Sequence, residues 1–131
     1  MMTYVVKTQH RNELVDISEL VGKAVSESGI AHGQCVLYVP HTTAGVTINE
    51  NADPSVQTDL LMALAESVPD THPYTHMEGN SPAHVKASLV GTSAVVFINN
   101  GSLVLGTWQG IFFCEFDGPR NRKIHIKIIP D

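Results

Sequence analysis

The residues able to do chemistry are concentrated between Val39 and Pro54, in V-P-H-T-T-A-G-V-T-I-N-E-N-A-D-P. An apolar run ends at Pro40 and delivers His41, Thr42 and Thr43 into a turn. A second run, Val46 to Ile48, leads to Glu50, Asn51 and Asp53. Polar side chains at the ends of regular elements are held rigidly, as a site requires. The same residue types serve turns and helix caps, so this stretch alone also fits a hairpin followed by an N-cap. Two more histidines add weight: His76 lies in an irregular segment, and His84 opens a helix. Three imidazoles with carboxylates nearby suit a divalent metal, anionic oxygens held by hydrogen bonds, or proton transfer near neutral pH. No H-x-H or H-E-x-x-H spacing joins any two of them, so all three chemistries stay open. His10, His32, His72 and His125 read as surface or hydrogen-bonded residues.

Modest apparatus for an anion is present, in residues that also serve simply to turn and cap the chain. The turn Gly79-Asn80-Ser81-Pro82 runs into a helix whose free N–H groups can hold negative charge, and Arg120 or Arg122 can add a cation. Trp108-Gln109 sits between glycines in G-T-W-Q-G, where an indole either stacks on a planar ligand or plugs the core; the core placement is favoured. Neither a P-loop nor a dinucleotide-binding glycine turn occurs. Gly79-Asn80-Ser81-Pro82-Ala83 begins like a nucleophile elbow but has Ala83 where the second glycine belongs. Cys35 and Cys114 fall inside apolar runs, where a thiol is a small hydrophobe.

The elements that must position these residues follow from periodicity. Thr3 to Gln9 reads as a strand, with Leu14 to Asp16 as its hairpin partner. Asp16 and Glu19 resemble a capping box for a helix whose buried face is Ile17, Leu20, Val21, Ala24 and Val25, stopped at Gly29. Strands follow over Gln34 to Val39 and Gly45 to Asn49. Asp53-Pro54 starts a second helix with a stripe of Val56, Leu60, Leu61, Leu64 and Val68. Residues 69–80 show no periodicity, and a loop of that length in a small domain is usually either functional or disordered. A short helix spans Pro82 to about Leu89. Four strands close the chain: Ala94 to Ile98, Ser102 to Leu105 after the Asn100-Gly101 turn, Ile111 to Phe116, and Ile124 to Ile129. The order predicts an α+β fold, two sheets face to face with helices packed on one side.

At 131 residues this is expected to be one domain over 1–131. Charged residues are only 16%, below the roughly 25% of ordinary domains, which points to an oligomer whose subunits cover one another. The net charge of −5 argues against nucleic acid. The longest apolar run, Leu60 to Ala65, is too short to span a bilayer, and no leader segment opens the chain. A cytoplasmic protein with no membrane partner is expected.

Three motifs together resemble the YjbQ family, known as secondary thiamine-phosphate synthases. They are P-H-T-T-A-G-V-T-I-N-E-N-A-D-P (40–54), E-G-N-S-P-A-H-V-K-A-S-L-V-G (78–91) and L-G-T-W-Q-G-I-F-F-C-E-F-D-G-P-R (105–120). The resemblance covers nearly the whole chain, in order. It implies a two-sheet β-sandwich with helices, assembled as a homotrimer. It also implies a transferase that joins an aminopyrimidine diphosphate to a thiazole phosphate and releases pyrophosphate, an activity regarded as weak in the family. The family's histidines fall on His41, His76 and His84, with Glu50, Asn51, Asp53, Asn80 and Gln109 among its other polar positions. The candidate catalytic set is then His41, His76, His84 and Glu50. Thr42, Asn51, Asn80, Ser81, Trp108, Gln109 and Arg120 are the candidate contacts to a small phosphorylated substrate. The expected cofactor is a divalent metal, magnesium or zinc, with His41, His76, His84 and Asp53 as candidate ligands. Two other readings remain: a metal-dependent enzyme acting on phosphate esters, and a non-enzymatic trimer that binds a metal or small anion.

Overall fold

Strand β8 (Asn121–Pro130) shows how the sequence pattern becomes structure: Arg122, Ile124 and Ile126 are buried, while the alternating Lys123 and Lys127 are exposed. The computed structural model describes residues 1–131. Ahead of β8 come β1 (Met2–Lys7), β2 (Glu13–Asp16), α1 (Ser18–Ser28), β3 (Gly33–Tyr38), β4 (Ala44–Glu50), α2 (Pro54–Ser67), α3 (Ser81–Val90), β5 (Ser93–Asn99), β6 (Ser102–Leu103) and β7 (Gln109–Glu115). Two antiparallel sheets result, one in the order β1-β8-β3-β5-β6 and one in the order β2-β7-β4.

The main core lies between these sheets. Val6, Cys35, Leu37, Val96, Ile98, Ile124 and Ile126 face Val46, Ile111 and Phe113, and α1 adds Val21, Ala24 and Val25. Strand β7 is buried on both faces, because Cys114 and then Phe116 pack away from that core against Ala83 and Ala87 of α3. The helices therefore do not form a single layer. Helix α1 fills the space within the main core, whereas α3, with Leu64 of α2, covers the other face of the small sheet.

Three local expectations are corrected. The first two strands are not a hairpin. Tyr4 pairs with Ile124 in the large sheet and Leu14 with Cys114 in the small one, so the chain changes sheets between them. That corner is fixed by hydrogen bonds from remote sequence, Thr8 N–H to the Arg120 carbonyl at 3.0 Å and Gly118 N–H to the Arg11 carbonyl at 3.1 Å. The capping box also fails. Asp16 accepts from Ser18 N–H at 2.9 Å, but Ile17 occupies the N-cap and no side chain caps α1. Third, Val56, Leu60, Leu61 and Leu64 of α2 are only half-buried, and Val68 alone of that stripe is buried, beyond the helix end. Leu64 packs against the α3 cluster, and the remainder of that face stays half-open.

Other signals hold. Asp53 caps α2 by accepting from Ser55 N–H at 3.0 Å, with Pro54 as its first residue. Asn100 and Gly101 both have positive φ, 51° and 78°, as a tight turn between β5 and β6 requires. Helix α3 is drawn onto the start of β4 by Val46 N–H, which donates to the Gly91 carbonyl at 3.0 Å. A Cβ on Gly45 would sit 2.5 Å from that carbonyl, so glycine there permits the close approach. This contact sets His84 beside the turn that carries His41. On another side of α3, the buried Lys86 donates to Asn12 Oδ1 at 3.2 Å and ties the helix to the sheet-changing corner. Burial lowers the Lys86 pKa, with Asp70 working the other way.

Candidate active site

His41 follows the last paired residue of β3, and its ring takes over where the strand stops. Lys123 N–H, beyond the Tyr38–His125 register pair, donates to His41 Nε2 at 2.9 Å. Acceptance at Nε2 places the proton of the neutral ring on Nδ1. Burial lowers the His41 pKa, nearby Arg122 lowers it further, and Glu115 partly opposes them. His41 is thus a neutral imidazole with an Nδ1–H to donate. His76 and His84 meet directly: their rings are 5.3 Å apart, edge to face at 87°. Glu78 lies 3.9 Å from His76 Nε2, with both side chains substantially exposed.

His84 and Thr42 form a wall common to two adjoining hollows. One, of about 390 Å³, is shared with Tyr38, His41, Ala87, Ser88 and Thr92. The other, of about 280 Å³, has no hydrophobic lining residue; it is closed by Thr43, His76, Glu78, Asn80, Asp117 and Arg120. The three histidines, two at element ends and one in a loop, therefore converge on one cleft. The largest hollow, about 410 Å³, lies elsewhere against α1 and is lined by Tyr4, Leu20 and the exposed Lys23–Glu27 pair with Glu19.

Beneath the polar hollow is a buried ion pair that sequence reading passed over. Arg122 and Glu115 are 2% and 0% exposed and bond to each other through both Nε and Nη2 of Arg122. Arg122 Nη2 also donates to Thr43 Oγ1 at 2.8 Å and to its carbonyl at 3.2 Å, while the Thr8 hydroxyl donates to Glu115 Oε1 at 2.7 Å. Burial works to raise the Glu115 carboxyl; the bonds from Arg122, Asp117 N–H and Thr8 outweigh it and hold the group below its ordinary value. Asp117 extends this network to the surface. Its N–H donates to Glu115 Oε2 at 3.0 Å, and its own carboxylate accepts from Asn80 and Arg120. Two signals could have found these groups: a lone carboxylate inside the apolar run I-F-F-C-E-F, and an arginine on the inward alternation of β8.

Five candidate residues lie elsewhere. Glu50, Asn51, Asp53, Trp108 and Gln109 gather at the far end of β4, roughly 20 Å from its first residue at about 3.3 Å per strand position. Glu50 pairs with Gln109, Asn51 N–H donates to the Trp108 carbonyl, and Asp53 is engaged as the α2 cap. Trp108 is 62% exposed, so the expected core plug is overturned. Ser81 opens α3 but lines neither hollow. The proposed metal set fares no better within one chain. Asp53 is remote, His41 Nε2 is taken by Lys123 N–H, and no three His, Cys, Asp or Glu side chains are grouped to hold an ion.

The fold is a mixed α+β architecture of two antiparallel sheets, with a histidine cleft at one end of the small sheet. The family model for UPF0047 YjbQ-like proteins matches residues 2–131. The chain is 55% identical to a UPF0047 protein of Methanocaldococcus jannaschii, covering 100% of this chain and 95% of that one. It is 52% identical to YugU of Bacillus subtilis, covering 98% of each. A crystal structure of a YjbQ/UPF0047 family protein from Clostridium acetobutylicum superposes with a TM-score of 0.96 at 55% identity, covering 98% of this chain and 100% of that one. A YjbQ-like protein of Sulfolobus solfataricus gives 0.95 at 35% identity, covering 99% and 96%. The chain belongs to the YjbQ/UPF0047 family.

Proposed function

We propose that this cleft binds a small phosphorylated substrate and that the protein is a transferase of the thiamine-phosphate synthase kind. In this reading it joins an aminopyrimidine diphosphate to a thiazole phosphate with release of pyrophosphate. The observation that carries the phosphate reading is the polar hollow itself. It has no hydrophobic lining and contains a guanidinium already held in place, two imidazoles and the start of α3. Departure of pyrophosphate puts negative charge on oxygen, which fixed cationic and N–H donors stabilise best where water is displaced. Arg120 supplies the fixed cation. His41 Nδ1–H, in the adjoining hollow, is a neutral donor, and His84 on the common wall faces both halves.

Since the His41, His76, His84 and Asp53 set does not gather in one chain, no step is assigned to a resident metal. Magnesium carried in on substrate phosphates needs only one or two protein carboxylates, and Glu78 stands at the hollow. The low charge content, the exposed Val5, Tyr38, Val95 and Phe97 on the large sheet and the half-covered α2 support a homotrimer. Glu50 and Trp108 act on the same substrate only from a neighbouring protomer.

The remoteness of Trp108 within a chain favours a second reading, a phosphate-ester enzyme that releases inorganic phosphate. A screen of a metabolite extract with wild type and His84→Ala separates these. The transferase consumes two phosphorylated compounds and yields pyrophosphate; the alternative consumes one and yields phosphate. A binding protein consumes none.

A further inference from the structure

Asn80 occupies the N-cap of α3, a position where its side chain ordinarily accepts from the first-turn N–H groups. Here it makes no capping bond, and its Nδ2 donates to Asp117 Oδ2 at 2.9 Å. The amide orientation is not free, because a flip would set Asn80 Oδ1 against the carboxylate. The same Asp117 oxygen accepts from Arg120 Nη2 at 3.0 Å, and the Asp117 carbonyl accepts from Arg120 Nε at 3.0 Å. One residue therefore holds the Nε and Nη2 groups of the guanidinium and the amide that starts α3. Asp117 is in turn fixed from below, its N–H donating to Glu115 of the buried ion pair. Two of the five guanidinium N–H groups are used in this way. The remaining three are left for a ligand on a half-exposed side chain that lines the hollow.

We propose that Asp117 is a positioning residue, which locks Arg120 and the Asn80 end of α3 into one phosphate-receiving unit. This rests on the phosphate reading of the cleft and adds the residue that organises it. Electrostatics alone predicts the opposite sign. A carboxylate beside the hollow repels a phosphate, so its removal should tighten anion binding at these few-ångström separations. Positioning predicts weakening, because a long, flexible arginine must then be ordered by the ligand itself.

The test is titration of inorganic phosphate, followed by calorimetry, into wild type and folded variants whose melting curves are recorded alongside. Arg120→Ala sets the scale by abolishing the contact. Asp117→Ala is expected to weaken phosphate binding about tenfold, the order expected for charge-assisted bonds losing their preset geometry. Asp117→Asn keeps an acceptor oxygen for both partners and is expected to recover most of that loss, although it too lacks the charge. In an Arg120→Ala background, Asp117→Ala should cause a smaller further weakening, since only the part of its effect that passes through Asn80 and α3 remains. Tighter binding in Asp117→Ala, no rescue by Asp117→Asn, or equal losses with and without Arg120 overturns the inference and leaves the phosphate reading standing. Failure of the wild type to bind phosphate any better than Arg120→Ala overturns both.

Discussion

Replacing Glu115 by Gln keeps its volume but leaves the Arg122 guanidinium buried without a counter-charge. Glu115 and Arg122 are 0% and 2% exposed, so solvent cannot take over the lost partner. Breaking one side of a pair buried this deeply costs about 3–5 kcal/mol. For a domain of this size that lowers the melting temperature on the order of 10 °C. Removing both charges is different. In Glu115→Leu with Arg122→Met neither ion has to be desolvated, so the double variant should be more stable than either single one. It should still fall short of wild type by about 1–2 kcal/mol, because Thr8 and Asp117 N–H lose their acceptor. Urea unfolding of Glu115→Gln, Glu115→Leu, Arg122→Met and the double variant reads these differences directly. pH gives a second handle. The folded Glu115 carboxyl lies below its ordinary value, so its contribution is complete above the unfolded pKa, near 4.3. That contribution is lost as pH falls through the folded value, and the wild-type advantage over Glu115→Gln should shrink below about pH 4. Single variants within about 1 kcal/mol of wild type, or a double variant whose loss equals the sum of the two, would refute this account.

The His41 ring is expected to keep its proton on Nδ1, seen by nitrogen NMR, and to titrate below the ordinary imidazole range, because burial and Arg122 disfavour its charge. A depressed histidine makes folding less favourable as pH drops below the unfolded pKa, so His41→Gln should flatten the stability profile between about pH 6.5 and the lower folded value. Burial pushes Cys35 up to about 11 and Cys114 up to about 12, so iodoacetamide at pH 8 should label both slowly in the folded protein and rapidly in urea. Conversion to Ala at either cysteine should leave activity in place. Light scattering should give three times the 14.2 kDa chain mass, and Phe97→Glu, at an exposed position on the large sheet, should shift it toward monomer; a wild-type monomer would exclude the trimer.

Much of the fold was legible because its signals are local. Asp53-Pro54 started α2, Asn100-Gly101 turned β5 into β6, and the alternation in β8 separated its faces. What escaped was set by partners distant in sequence. Strand β1 pairs with β8 and β2 with β7, so the polar turn between them said nothing about the change of sheet. Helix α2 carries an apolar stripe that one chain only half covers, and periodicity cannot say what covers the rest. At the site, two element ends bring His41 and His84, and an irregular segment brings His76, to the same pair of adjoining hollows. Nearness in sequence misled for Glu50 and Asp53, because an extended strand carries the chain away from His41 faster than any other element. Asp117 and Glu115 were hidden among turn and strand residues, and only their hydrogen bonds reveal their part.

The measurement that bears most directly on the cleft is pyrophosphate release from an aminopyrimidine diphosphate in the presence of a thiazole phosphate. Wild type, His84→Ala and Arg120→Ala are compared, each shown to be folded by its melting curve. Turnover by the wild type that drops at least tenfold in kcat/KM in both variants is the result expected of a cleft that stabilises departing phosphate oxygens, since removal of one such donor typically costs a hundredfold or more. Turnover unchanged in both variants would place the chemistry elsewhere. No release of pyrophosphate or phosphate by the wild type from any phosphorylated compound would contradict the enzymatic account.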